Sequence, residues 1–130
     1  MFGLFRKVPR SQKTPQPAPE PVAHHHDELV DKADELFVEI EHAEGERKAD
    51  LLDARGEYLA RAGELDDAID AYEASLRVSH RLGKAYKGLT TLYNKKRAQA
   101  AAAGNDTEMR AYFGKLQILM QNSKDMLRGK

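Results

Sequence analysis

Apolar side chains recur every three or four residues from residue 27 to the end of the chain, and no segment alternates apolar and polar positions as a strand would. The first series consists of Leu29, Val30, Ala33, Leu36, Phe37, Ile40 and Ala43. This spacing places apolar groups on one face of a helix. The whole pattern predicts five helices, near 29–43, 51–62, 66–79, 83–103 and 106–126, and therefore an all-α fold.

Short turns separate the predicted helices. Gly63 and Gly104 stand where the second and fourth helices end, and glycine adopts the left-handed conformation of a helix end at little cost. Asn105 or Asp106 is predicted to cap the fifth helix. Connections this short favour consecutive antiparallel hairpins stacked as a short solenoid. The inner face of the fifth helix is expected to contain Met109, Tyr112 or Phe113, Leu116, Leu119, Met120 and Met126.

The first 26 residues differ in composition from the rest. All five prolines lie there, with four basic residues and the single acid Glu20. Such a segment cannot bury enough apolar surface to offset the entropy of ordering it. The sequence therefore predicts a disordered, Pro-rich basic tail over 1–26 and one helical domain over 27–130, which is long enough for a modest core.

One segment resembles the tetratricopeptide repeat, a helix-turn-helix unit of 34 residues with small residues where its helices touch. The matching residues are Leu52, Gly56, Leu59, Gly63, Ala68, Tyr72 and Leu76. The first unit covers about 49–82, and the second, over about 83–127, begins 34 residues after the first. The second unit matches through Tyr86, Leu89 and Tyr93, but its turn glycine, Gly104, arrives seven residues late. The pattern is also broken by Arg55 and His80, and 27–43 is expected to pack in front as a cap.

The resemblance implies a non-catalytic adaptor or scaffold that binds another protein or peptide on the concave surface of its helices. Carried over position by position, that surface comprises Asp53, Glu57, Arg61, Lys84, Lys87, Thr91, Asn94 and Lys95. Lys87 matches a lysine with which some members grip a carboxylate, whereas Thr91 replaces the asparagine that accompanies it. The simpler alternative is that these side chains are only the solvated face of two amphipathic helices.

Charge and motifs narrow the choice of function. The chain has no cysteine and none of the common nucleotide, zinc-protease or calcium motifs, so we expect no enzyme activity, no cofactor and no metal site. Its zero net charge conceals 17 acids and six bases in residues 27–80, against 11 bases and three acids in residues 81–130. Because the two segments carry opposite net charges, the sequence predicts weak head-to-tail self-association at low salt. Nucleic-acid association through the basic half and the tail is the alternative function, disfavoured by the acidic half.

The N-terminus offers a further hypothesis. Its apolar side chains adjoin two cations, which suits an anionic membrane or a partner protein. The proposed tether consists of Phe2, Leu4, Phe5, Arg6 and Lys7. We expect peripheral membrane contact to be weak and reversible, because the ordering of the segment offsets most of the gain. No secretory signal is recognisable, so the expected location is the cytoplasm, with the inner face of the membrane as an option.

Overall fold

The structure, a computed structural model, describes residues 19–128, with side chains from residue 25 onward. Its helices are α1 (Pro19–Glu35), α2 (Phe37–His42), α3 (Gly45–Arg61), α4 (Leu65–Val78), α5 (Lys84–Ala102) and α6 (Asp106–Leu127). Only Leu36 separates α1 from α2, so these two form one bent unit. The five predicted helices correspond to this unit and the four helices after it. The described residues contain no strand, which confirms the all-α prediction.

The helices pack in chain order. The α1–α2 unit contacts α3, α3 pairs with α4, α4 contacts α5, and α5 pairs with α6. Because the connections within each hairpin are only a few residues long, packed partners run antiparallel. α3 also contacts α5, so the first helices of the two hairpins lie side by side. The result is the short solenoid of antiparallel hairpins that the sequence predicts.

The first helix begins at Pro19, before the predicted start of the helical domain at residue 27. Proline is tolerated in the first turn of a helix, because the N–H groups there have no acceptor within the helix. The helix bends at Leu36, whose N–H reaches back only three residues to the carbonyl of Ala33. The same carbonyl accepts a hydrogen bond from Nη1 of Arg55 at 2.8 Å. Arg55 thus interrupts the helical ladder and ties α1 to α3.

Local capping follows the sequence prediction. Gly63 and Gly104 have φ angles of 84° and 73°, in the left-handed region. The side chain of Asn105 accepts a hydrogen bond from the backbone N–H of Glu108 at 3.1 Å and caps α6. Asn105, rather than Asp106, is therefore the capping residue. These short-range contacts set the two hairpin turns.

The core lies along the seam between the hairpins. Its buried members are Ala33, Leu59, Ala68, Ile69, Tyr72, Ala85, Leu89, Leu92, Tyr93, Leu116 and Leu119. In the last helix, Leu116 and Leu119 are buried as predicted, and Tyr112 rather than Phe113 packs against the core. Met120 departs from the prediction, because it is about half exposed. Among the described helices, α6 packs mainly against α5 and also pairs with α4 through Lys115 and Glu73, so its outward side stays exposed.

Candidate functional site

A groove of about 370 Å³ lies between α3 and α5. It is lined by Glu57, Ala60, Tyr72, Lys84, Lys87, Gly88, Thr91 and Leu92. Tyr72 and Leu92 are buried and form an apolar floor, whereas Glu57, Lys84 and Lys87 are exposed at the rim. The groove therefore combines an apolar floor with charged walls.

The charges at the rim have no partners within the described part of the chain. Lys84 and Lys87 lie three residues apart on α5, about one helical turn, and neither makes an ion pair there. Glu57 on α3 is also without an ion pair among the described residues. Two adjacent unpaired cations attract an anionic group, and the floor beside them accepts an apolar side chain.

The ring of Tyr72 shapes the floor of the groove. Burial raises its pKa above the ordinary value of 10, and the negative charges of Glu57 and Asp53 raise it further. The phenol therefore stays neutral at physiological pH. A neutral ring held among helices gives the groove a fixed apolar surface.

Asp53 does not belong to this groove, which corrects its assignment to the concave surface. Its carboxylate is only 4% exposed and accepts a hydrogen bond from the Ser75 hydroxyl at 2.6 Å and from Nη2 of Arg81 at 2.9 Å. Arg81 also pairs with Asp50 at 2.7 Å and with Glu46. A buried carboxylate needs such partners. Asp53 therefore holds the α4–α5 turn against α3.

The remaining predicted residues are dispersed. Arg61 is exposed in a different cleft of about 660 Å³ between α1 and α3, beside His25, Glu28, Leu29, Lys32 and Tyr58. Asn94 is exposed and donates a hydrogen bond to the carbonyl of Thr90 at 3.1 Å. Lys95 is exposed on α5 but does not line the groove. Of the eight predicted residues, only Glu57, Lys84, Lys87 and Thr91 come together.

The cleft between α1 and α3 is larger, but it is a weaker candidate for selective binding. Its walls carry both signs of charge, with Glu28 among the cations Lys32 and Arg61. Glu28 and Lys32 lie one turn apart on the same helix, so their opposite charges offset each other. The groove between α3 and α5 has the clearer chemistry, because its two cations, Lys84 and Lys87, lie on one wall and its anion, Glu57, lies on the other, above an apolar floor.

Sequence reasoning missed two residues that organise the groove. Gly88 brings α5 against the Tyr72 ring, and Arg81 holds the turn before α5. A signal existed for the first, because a glycine inside a helix costs about 1 kcal/mol relative to alanine and often marks a close approach. Nothing in the local pattern marks Arg81, whose partners lie about 30 residues earlier.

The proposed tether, Phe2, Leu4, Phe5, Arg6 and Lys7, lies outside the described residues. Within residues 19–128, no helix combines the length and the apolar character needed to cross a membrane. No group of three or more potential metal ligands occurs in the same range. Comparison of the chain with known protein families, with curated proteins and with solved structures finds no match.

Proposed function

We propose that this protein is a non-catalytic cytoplasmic adaptor that binds an extended segment of another protein in the groove between α3 and α5. The observation that carries the proposal is the pair of cations, Lys84 and Lys87, which form no ion pair within residues 19–128 and lie beside the apolar floor formed by Tyr72 and Leu92. An acidic side chain or terminal carboxylate would contact the lysines. A neighbouring apolar side chain would pack on the tyrosine ring.

The resemblance of residues 49–127 to tetratricopeptide repeats supports the same function, because that family binds peptides between the first helices of successive hairpins. The groove occupies the equivalent place, between α3 and α5. Thr91 borders it where the family pattern has asparagine, so we expect a binding mode with fewer hydrogen bonds to the ligand.

The distribution of ion pairs favours a protein partner over a nucleic acid. Several cations of the basic segment are already engaged: Lys96 with Asp66 at 3.0 Å, and Lys115 with Glu73 at 3.3 Å. Arg81 is held by acids of α3. Nucleic-acid binding at physiological salt requires several phosphate contacts at once. These ion pairs leave fewer cations of the described residues available for phosphate contacts.

A peptide-display experiment tests the proposal. The full chain is panned against a library of random peptides, and selected peptides are synthesised and measured by fluorescence anisotropy. We expect them to contain an acidic residue or terminal carboxylate next to an apolar one. Lys87→Glu should weaken binding by at least about fivefold, because attraction at the rim becomes repulsion worth about 1 kcal/mol.

Lys95→Glu is the matched control. Lys95 is equally exposed on the same helix and its change alters the net charge by the same amount, but it lies outside the groove. Equal weakening by the two substitutions would assign binding to overall charge rather than to the groove. Selection of peptides without acidic groups would reject the proposed recognition chemistry.

A further inference from the structure

The last helix carries an uncovered apolar row. Three apolar residues of α6, Phe113, Met120 and Leu127, are spaced seven residues apart, and each is more than half exposed. Asp106, in the first turn of the helix, lies seven residues before Phe113. Seven residues are nearly two helical turns, so the three side chains share one side of the helix. Among the described helices, α6 packs its backbone against α5 and reaches α4 through the ion pair of Lys115 with Glu73. We call this row the C-terminal face.

Cations border the C-terminal face. Arg110 and Lys124 lie three residues before Phe113 and Leu127, on the adjacent row of the helix. Both are exposed and neither forms an ion pair within the described residues. The face is thus apolar with a basic edge.

The opposite end of the molecule is apolar with an acidic edge. Phe37 and Val38 on α2 are 54% and 63% exposed, and within residues 19–128 the α1–α2 unit packs against α3 and contacts Glu64 at the start of α4. Residues 27–44 contain eight acids and a single base, Lys32. Glu35 and Glu41 are exposed and make no ion pair in the described range. We call this surface the N-terminal face.

We propose that the C-terminal face of one copy binds the N-terminal face of another copy of this chain. Solenoids normally end in polar capping surfaces, and here both ends expose apolar side chains instead. The charges of the two ends are opposite, so unlike faces attract whereas like faces repel. The N-terminal segment 1–18 cannot complement α6 in the same way, because it carries four bases and no acid.

The contact joins two different surfaces, so it is heterologous and leaves a free face at each end of every assembly. Neither face includes a residue that lines the groove between α3 and α5. The inference therefore goes beyond the proposed peptide binding, and the two can fail separately.

Light scattering of the full chain tests the contact at about 20 mM and about 300 mM salt, which shortens the Debye length from about 20 Å to about 6 Å. At low salt the average mass should rise with protein concentration above the 14.6 kDa of one chain. At high salt it should fall back toward that value. A chain that stays monomeric at low salt and high concentration would overturn the proposal.

Two variants, each with a substitution that disrupts one of the two faces, establish which surfaces meet. Met120→Asp spoils the C-terminal face and Val38→Asp spoils the N-terminal face, and both sites are exposed, so folding should survive. Each variant alone should be monomeric at low salt. An equal mixture should reach twice the monomer mass and stop there, because one intact face of each kind remains. The two new aspartates repel, so the spoiled faces cannot pair.

Ile118→Asp is the control. Ile118 is 64% exposed on α6 but lies five residues from Phe113, off the apolar row, so this variant should assemble like the unaltered chain. Circular dichroism verifies that every variant keeps its helices. Continued association of Val38→Asp alone would indicate contact between two C-terminal faces. That result, or a mixture that stays monomeric, would contradict the heterologous contact.

Discussion

The ring of Tyr72 lies against the backbone of α5 at Gly88, so closely that a Cβ atom at Gly88 would overlap the ring. The opposite side of the ring meets Gly56 of α3, where an added Cβ would lie 2.8 Å from Cε1. Two glycines on different helices therefore hold one aromatic ring between them. This arrangement sets the distance between α3 and α5, and with it the width of the groove.

Gly88→Ala should destabilise the protein. The new methyl group meets a ring that is 6% exposed and already held on its other side by Gly56, so the ring cannot turn away. Overpacking of this kind costs about 1–3 kcal/mol, and the better helix propensity of alanine returns about 0.5–1 kcal/mol. We expect a net loss of up to about 2.5 kcal/mol, measured by urea unfolding.

For Gly114→Ala we expect the opposite effect, an increase in stability. Gly114 is also inside a helix, but nothing lies within 4 Å of a Cβ added there. Only the propensity gain remains, so this variant should be more stable by about 0.5–1 kcal/mol. Destabilisation by both substitutions to the same extent would mean that the Tyr72 contact is not the cause.

Asp53→Ala should be strongly destabilising. The substitution leaves the buried Ser75 hydroxyl without its 2.6 Å acceptor and removes one of the carboxylates that hold Arg81. Loss of a buried hydrogen-bonded charge costs about 2–3 kcal/mol. Thermal and urea unfolding both measure this change.

Asp50→Ala is the comparison for the same guanidinium. Asp50 bonds Arg81 at 2.7 Å from the same helix, but its side chain is 69% exposed. Exposed ion pairs contribute about 0–1 kcal/mol. A loss from Asp50→Ala as large as that from Asp53→Ala would show that burial does not decide the energetics of this cluster.

The docking of α1 should weaken as pH rises through the titration of His26. Its Nε2 lies 2.6 Å from Glu64 and its Nδ1 lies 3.2 Å from Asp27. Hydrogen bonds to Glu64 and then to Asp27 raise the pKa of His26 above the ordinary 6.5. The folded state thus favours the charged imidazole. The added stability is complete below about pH 6.5 and disappears as pH passes the higher pKa of the folded protein.

Thermal unfolding between about pH 5.5 and pH 8 measures this effect. The advantage of the unaltered chain over His26→Gln should shrink steadily as pH increases. His25→Gln, at the exposed neighbouring position, should retain the pH dependence of the unaltered chain. A constant difference between His26→Gln and the unaltered chain across this range would rule out titration of His26 as the source.

Tyr93 should lose its phenol proton at a higher pH than an ordinary tyrosine. Burial, reinforced by a 2.5 Å hydrogen bond that its hydroxyl donates to Glu73, raises the pKa of Tyr93 above the ordinary 10. The folded state retains this proton where the unfolded chain releases it, so stability should fall as pH rises above about 10. In Tyr93→Phe that fall should be less steep.

Ultraviolet titration of tyrosinate absorbance follows this ionisation. Tyr93→Phe should remove the part of the titration curve that appears at the highest pH. It should also lower the free energy of unfolding at neutral pH by about 0.5–1.5 kcal/mol, because the hydrogen bond to Glu73 is lost. If that part of the curve persists in Tyr93→Phe, it belongs to another tyrosine, and Tyr72 is the next to test.

The sequence alone predicted the helical segments and the turns that end α3 and α5. The spacing of apolar residues, the left-handed glycines at 63 and 104, and the cap at Asn105 are properties of residues close together in the chain. Such local interactions act before any tertiary contact forms, so a single sequence is enough to predict them. The wall cations Lys84 and Lys87 were predicted in another way, by carrying over the positions of the tetratricopeptide repeat that this segment resembles.

Only the tertiary structure decided which polar side chains are free. Asp53 and Glu57 are one turn apart on α3, yet Asp53 is buried and bound by Arg81 whereas Glu57 is exposed at the groove. Arg61, one turn further, lies in another cleft. Helical spacing gives all three the same side of the helix. The rotation of α3 against its neighbours, set by close contacts such as Tyr72 with Gly56, separates their roles, and no local pattern specifies that rotation.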